Sequence, residues 1–184
     1  MKQFLLLGLI VISALTFWSA LAQAQASEGQ QPLTRQEQRQ EEVKAALREL
    51  HQHQVELTAL AEDRAERDAI LELTDTLQTD HKRLYERLME VEEEDASVVS
   101  GTRMRDTQAF EELKQQEGAE FEAAYLRYQE RLHLDALELL ERNLPGEGEV
   151  SEYARHVKAT HDTLRQHLAL IQQNQQAGDR EAET

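Results

Sequence analysis

The sequence predicts an all-α protein, an antiparallel four-helix bundle with one short auxiliary helix after an N-terminal signal peptide. Three observations lead there. Apolar residues recur every three or four positions through four long stretches, the spacing that gathers them on one face of a helix. Only two prolines and seven glycines occur in 184 residues, while Ala, Leu, Glu, Gln and Arg dominate, a helix-forming composition. No stretch alternates apolar and polar residues in the way a half-buried strand requires.

The first 26 residues differ from the rest. Lys2 precedes an uncharged apolar stretch from Phe4 to Leu21, and the small residues of "ALAQAQA" follow. A basic start, an apolar core and A-x-A exits are the parts of a signal peptide, with cleavage expected after Ala24 or Ala26. The competing reading is an uncleaved inner-membrane anchor over residues 4–21, near the lower length limit for crossing a bilayer. The expected location is therefore the bacterial periplasm or the medium, with membrane attachment only through an uncleaved signal. With no cysteine in the chain, stability rests on packing rather than disulfides, and thiolate metal sites and a cysteine nucleophile are excluded.

Residues 27–34 read as a polar linker, and residues 35–177 as the bundle. From Arg35 to about Arg64, Val43, Leu47, Leu50, Leu57 and Ala61 form one stripe. The polar segment "EDRAERDA" interrupts it, and Asp68 is placed to cap a second helix; without glycine or proline there, a single bent helix is the alternative. Ile70, Thr74, Leu77, His81, Leu84, Leu88 and Val91 then alternate steps of four and three, a heptad seam with His81 at a core position. A connection through "EVEEEDAS" and "VVSGTRMRD" leads to a short helix in "TQAFEELKQQE". A long helix from about Ala119 to Asn143 carries two apolar faces, one with Phe121, Tyr125, Tyr128, Leu132 and Leu139, the other with Leu126, His133, Leu137 and Leu140. "NLPGEGE" is a loop, and the last helix runs from about Val150 to Gln176 with Tyr153, Val157, Leu164, Leu168 and Ile171 inward. Residues 178–184 read as a disordered polar tail.

The formal charge of −16 sets long-range repulsion against phosphate backbones, so nucleic acid is not an expected partner. The sequence holds no Gly-rich phosphate loop and no G-x-S-x-G elbow, and its serines lack an evident histidine and acid pair. No catalytic residue is assigned, and an enzyme is expected only by way of a metal.

Four pieces, "VELTALA" at 55–61, "DH" at 80–81, "FEAAYLRYQERLH" at 121–133 and "TLRQHL" at 163–168, stand in an order and spacing that resemble a bacterial envelope family. That family is catalogued as domain of unknown function 4142, is sometimes labelled putative membrane or outer-membrane protein, and has a ferritin-like four-helix fold. The resemblance extends over about residues 36–172 and implies importance for Glu56, Asp80, His81, Phe121, Tyr125, His133 and His167. The chain departs from the family pattern at Glu122, where an aspartate is usual, and at Asp162, where a proline is common.

A carboxylate-bridged di-iron centre in a bundle draws a glutamate from each of two helices and a Glu-x-x-His pair from each of the others. Only Glu130 with His133 meets that rule; Gln78 precedes His81 and Leu164 precedes His167. The mononuclear alternative uses His81, His133 and His167 from three helices with Glu56 from the first, donors suited to a single divalent transition metal such as zinc, copper or iron. The reading set against it has each histidine neutral and hydrogen-bonded across the core, Tyr125 and Glu56 being the partners, with Asp80 a further structural polar group. His51 and His156 are expected to project away from the stripes, and His53 and His161 to lie at the core edge. His156 with Asp162 is a weaker surface pair. Three functional classes follow: a non-enzymatic binding or envelope stress module acting on an envelope protein or small ligand, a metal-binding bundle, and a helical periplasmic chaperone, which would expose an apolar concave surface.

Overall fold

The computed structural model describes residues 33–91 and 103–183. The signal peptide or anchor of residues 1–26, with Ala24 and Ala26, nearly all of the 27–34 linker and the connection through residues 92–102 lie outside the described residues. Residues 35–184 form one compact unit. Its described part is all-helical: α1 (Arg35–Arg64), α2 (Asp68–Val91), α3 (Thr107–Leu113), α4 (Gly118–Arg142) and α5 (Glu152–Ala182). No strand occurs among the described residues.

The four long helices surround one core. α1 packs on α2, α2 on α5, α5 on α4 and α4 on α1, while the short α3 lies against α4. The end of α1, the start of α2, the start of α4 and the end of α5 meet at one end, where Arg67 bonds both Glu122 and Glu181. Helices α1 and α5 therefore run toward that end and α2 and α4 away from it, so each neighbouring pair is antiparallel. The apolar stripes close on one another: Leu47, Leu50 and Leu57 of α1, Ile70, Leu77 and Leu88 of α2, Phe121, Tyr125 and Leu140 of α4, and Leu164 and Ile171 of α5 are all fully buried. The large exposed hydrophobics among the described residues, such as Val55, Met89, Leu134, Val150 and Leu170, are spread over all four long helices and the segments beside them. No described helix is long and apolar enough to cross a membrane.

α1 and α2 are two helices, and Glu122 is the reason they part without glycine or proline. The bend at residues 65–67 frees two backbone N–H groups, of Glu66 and Arg67, and both donate to Glu122 Oε1 at 2.8 Å. Arg67 Nε donates to Oε2 of the same carboxylate at 2.6 Å. Burial alone would raise the Glu122 carboxyl, but the hydrogen bonds from the Arg67 backbone and side chain and from the Glu66 backbone outweigh it and hold the pKa below the usual carboxylate range. A carboxylate on a third helix thus serves the start of α2, where helix N–H groups lack internal partners and the dipole favours negative charge. Asp68 is the first residue of α2 rather than its cap.

Local signals place the other starts. Asp106 accepts from Ala109 N–H at the head of α3, and Ser151 accepts from Ala154 N–H at the head of α5. Gly118 opens α4 with φ of 56°, a left-handed conformation that favours glycine. The polar tail expected after residue 177 is instead the last turns of α5, which continues to Ala182. The guanidinium of Arg67 lies over Gly178, within 3.4 Å of where a Cβ would stand, and reaches Glu181 at 3.2 Å, so tertiary contact holds what local sequence would let fray.

Removing the Glu122 carboxylate strips partners from two backbone N–H groups and from Arg67 together. Glu122→Ala is expected to destabilise the chain by about 3 kcal/mol, the scale of a broken buried ion pair. Urea unfolding followed by circular dichroism measures it, and a loss under about 1 kcal/mol would mean that the bend does not depend on this carboxylate.

Candidate metal centre

Each long helix sends a histidine from near its midpoint into the centre of the core. His81 of α2, His133 of α4 and His167 of α5 are 1%, 0% and 1% exposed, and one ring nitrogen from each lies within 4.8 Å of the other two. His81 Nε2 stands 3.4 Å from His133 Nε2, and His133 Nε2 stands 3.3 Å from His167 Nδ1. These three buried histidines could hold a metal ion.

The far side of every ring is held by a partner. Asp80 Oδ2 accepts from His167 Nε2 at 3.0 Å, the Gln129 carbonyl accepts from His133 Nδ1 at 2.8 Å, and His81 Nδ1 is 2.8 Å from Nδ1 of His51 on α1. These bonds assign the tautomers. A carboxylate and a carbonyl only accept, so in the neutral rings the proton of His167 is on Nε2 and that of His133 on Nδ1. His167 Nδ1 and His133 Nε2 consequently face each other with lone pairs and no proton between them. If His81 donates to His51, its Nε2 adds a third lone pair; if His51 donates, His81 Nε2 carries one proton for the whole cluster. Either arrangement leaves three nitrogens converging with at most one hydrogen, poor as a hydrogen-bond set and well suited to a cation.

The separations agree with that chemistry. Nitrogens about 2.0–2.1 Å from one tetrahedral zinc ion stand roughly 3.3–3.4 Å apart. Orienting partners on the opposite ring nitrogen are the usual outer support of ligating histidines.

Glu56 is not the fourth member. It lies on the α1 surface with its side chain 51% exposed, paired to Arg105 at 3.0 Å and 3.6 Å from His53. Its helical position explains this: Glu56 is five residues beyond His51, roughly opposite it on a helix of 3.6 residues per turn. Tyr125 is buried but bonds no histidine; its hydroxyl is 3.0 Å from Thr74 Oγ1 and accepts from Gln129 Nε2 at 3.0 Å. Asp80, at 24% side-chain exposure, holds His167 on one oxygen and Arg83 on the other. Glu130 accepts from Gln172 and Gln175 of α5, outside the histidine cluster.

Two histidines expected to point outward point in. His51 and His156 are both buried, as is His53. His51 belongs to a second inward row on α1, with Gln54 and Thr58, whose polar side chains hide it from an apolar count. Spacing was the available signal, since His51 follows Leu47 by four and precedes Thr58 by seven, the steps of a buried seam. His156 sits four residues before buried Thr160, whose hydroxyl is 3.4 Å from its Nε2, so it forms no surface pair with exposed Asp162. His51 Nε2 and His156 Nδ1 are buried without a protein partner. His53 docks α3: its Nε2 is 2.8 Å from the Tyr128 hydroxyl, and its ring packs edgewise on Phe110.

Burial, reinforced by repulsion from neighbouring histidines, pushes His51 and His133 down to about 3 and His81 well below its ordinary value. His167 is lowered by burial too, with Asp80 pulling partly the other way. The unfolded rings take up protons below an ordinary value of 6.5, and the folded rings do not. In the metal-free chain this stability is complete above that value and falls as pH falls, by roughly 2 kcal/mol for each of His51 and His133 near pH 5. Melting temperature measured across this range is expected to drop steeply, and His81→Leu to flatten the fall; an unchanged acid midpoint in that variant would exclude His81 from the effect.

Comparison with curated proteins finds no match, and none is found among solved structures. A family model described as Domain of unknown function (DUF4142) matches residues 22–173. The chain belongs to this family.

Proposed function

We propose that this protein is an exported, ferritin-like four-helix bundle that binds a single transition metal ion through His81, His133 and His167. One observation carries the reading: three ring nitrogens from three helices converge within 4.8 Å, His133 Nε2 standing 3.4 and 3.3 Å from the other two, with the outer nitrogens of His133 and His167 committed so that their lone pairs face inward. The outer hydrogen bonds fix those tautomers but leave the inner nitrogens of His133 and His167 unsatisfied, because two facing lone pairs repel, whereas a cation satisfies the converging nitrogens together.

The ferritin-like assignment is supported by the helix directions. Two antiparallel pairs joined by one long connection, with every neighbour antiparallel, is the ordering of ferritin-like folds, in which metal sites are built from side chains on facing helices. The di-iron reading draws less support, since among the described residues no bridging carboxylate is within the cluster. Export is supported by residues 1–26, whose parts are those of a signal peptide. A chaperone role draws less support, because the described exposed apolar residues are scattered over several segments rather than joined in one open surface. A role in binding fits the chemistry better than catalysis: the three nitrogens are buried, and the acid and the base that contact their rings among the described residues, Asp80 and His51, do so from the outer side.

Two measurements test this. The untagged full chain, expressed with its leader and dialysed, is expected to retain one equivalent of zinc, copper or iron by elemental mass spectrometry, and His133→Leu to retain none. In thermal melts, metal at about 100 times its dissociation constant is expected to stabilise the wild type by about 2.7 kcal/mol and the variant not at all. A chain with only trace metal and no shift on adding any of the three would overturn the reading. N-terminal sequencing is expected to begin at Gln25 or Ser27, and an intact Met1 would favour the anchor.

A further inference from the structure

We propose that the ion held by His81, His133 and His167 is monovalent copper, Cu(I), in a three-coordinate all-nitrogen site. The inference rests on the metal reading above and adds the ion's charge and coordination number.

Charge decides between ions that imidazole otherwise accepts alike. The three donors are neutral rings, and none is more than 1% exposed. Among the described residues the one anion touching them is Asp80, across the His167 ring, and its other oxygen is taken by Arg83 at 2.8 Å. From α1 the group facing the cluster is His51, a neutral ring, and from α4 it is the Gln129 carbonyl. The acids near the cluster on α1 and α4 are turned elsewhere: Glu49 accepts from the Met104 N–H, Glu56 pairs with Arg105, Glu130 accepts from the α5 glutamines, and Asp135 is exposed. A divalent ion would therefore sit in the core with at least one uncompensated positive charge. The cost of transferring an ion from water to a low-dielectric interior grows with the square of its charge, so a +1 ion bears about a quarter of the penalty of a +2 ion. With Asp80 as the nearest counter-charge, Cu(I) leaves less uncompensated positive charge in the core than a divalent ion does.

Coordination number points the same way. Cu(II) favours tetragonal sites with four or more donors, and structural zinc closes a four-ligand shell. Among the described residues no fourth side chain completes such a shell: Glu56 is on the surface, and His51 spends its inward nitrogen on His81. Cu(I), with a filled d shell and no preferred geometry of its own, is satisfied by three donors in a plane. The chain has no cysteine, so no thiolate competes for it, and the described methionines, exposed Met89 and buried Met104, lie on other parts of the fold.

The test is a competition for metal by the full chain. Metal-depleted protein is titrated anaerobically against Cu(I) held by bicinchoninate, and in parallel against Zn(II) held by a chromogenic zinc indicator. The expected result is one Cu(I) per chain, held at least roughly 100-fold more tightly than Zn(II), with a copper X-ray absorption edge of three-coordinate Cu(I) and a nitrogen-only shell. His133→Leu and, should that variant lose its helical circular dichroism, His167→Gln are expected to release the copper. Zn(II) bound as tightly as Cu(I) would overturn the monovalent assignment and leave the metal reading standing. Binding of neither ion would overturn this inference, and the metal reading also falls if iron fails to bind. Cu(I) retained by a folded His133→Leu chain would place the ion elsewhere and likewise overturn it.

Discussion

The structure depends on one constraint: ring nitrogens buried at the centre of four helices must be satisfied there, by one another or by an ion. His51, His81, His133 and His167 come one from each long helix, and their contacts at 2.8, 3.4 and 3.3 Å chain the four together. Apolar stripes tolerate a helix sliding by a fraction of a turn, since one leucine contact replaces another. Converging ring nitrogens do not, because a shift of one residue takes a buried nitrogen away from the ring or ion that satisfies it, at a cost of kilocalories each. The histidines therefore set the axial register of helices that hydrophobic packing only gathers.

A second fixed point lies at the end of the molecule. Glu122 joins the α1–α2 bend to α4, and Arg67 carries the connection on to Glu181 at the end of α5. The centre and this end thus restrain the same four helices through polar groups at two heights, with leucine and aromatic layers between. α3 is attached differently, through His53, Phe110 and Tyr128, and lies outside the central chain of bonds.

The charge distribution separates surface from site. Acidic residues give the chain its −16, a charge that draws cations toward it without selecting among them. In the proposed metal reading, selection would belong to the core, where the three donors are neutral and Asp80 is their sole acidic contact among the described residues. The acidic surface would attract cations in general, and the core would discriminate by charge and coordination number.

The sequence by itself determined the secondary structure class, the stripes and the inward-facing His81 and His133, because helical periodicity and burial of apolar side chains are local and additive. It also placed His167 with them by resemblance to a family pattern. Only the tertiary structure decided the rest. That α1 and α2 are separate helices depends on a carboxylate 56 residues away from the N–H it binds, and no local signal reports it. That α5 runs on to Ala182 depends on Arg67 reaching across to it. That His51 and His156 are buried while Glu56 is not depends on which face of each helix meets a neighbour, and a polar residue on a buried face looks in sequence like one on a wet face. Which ring nitrogen faces which was beyond any reading of spacing, for it is set by Asp80, Gln129 and His51 on the far sides of the rings.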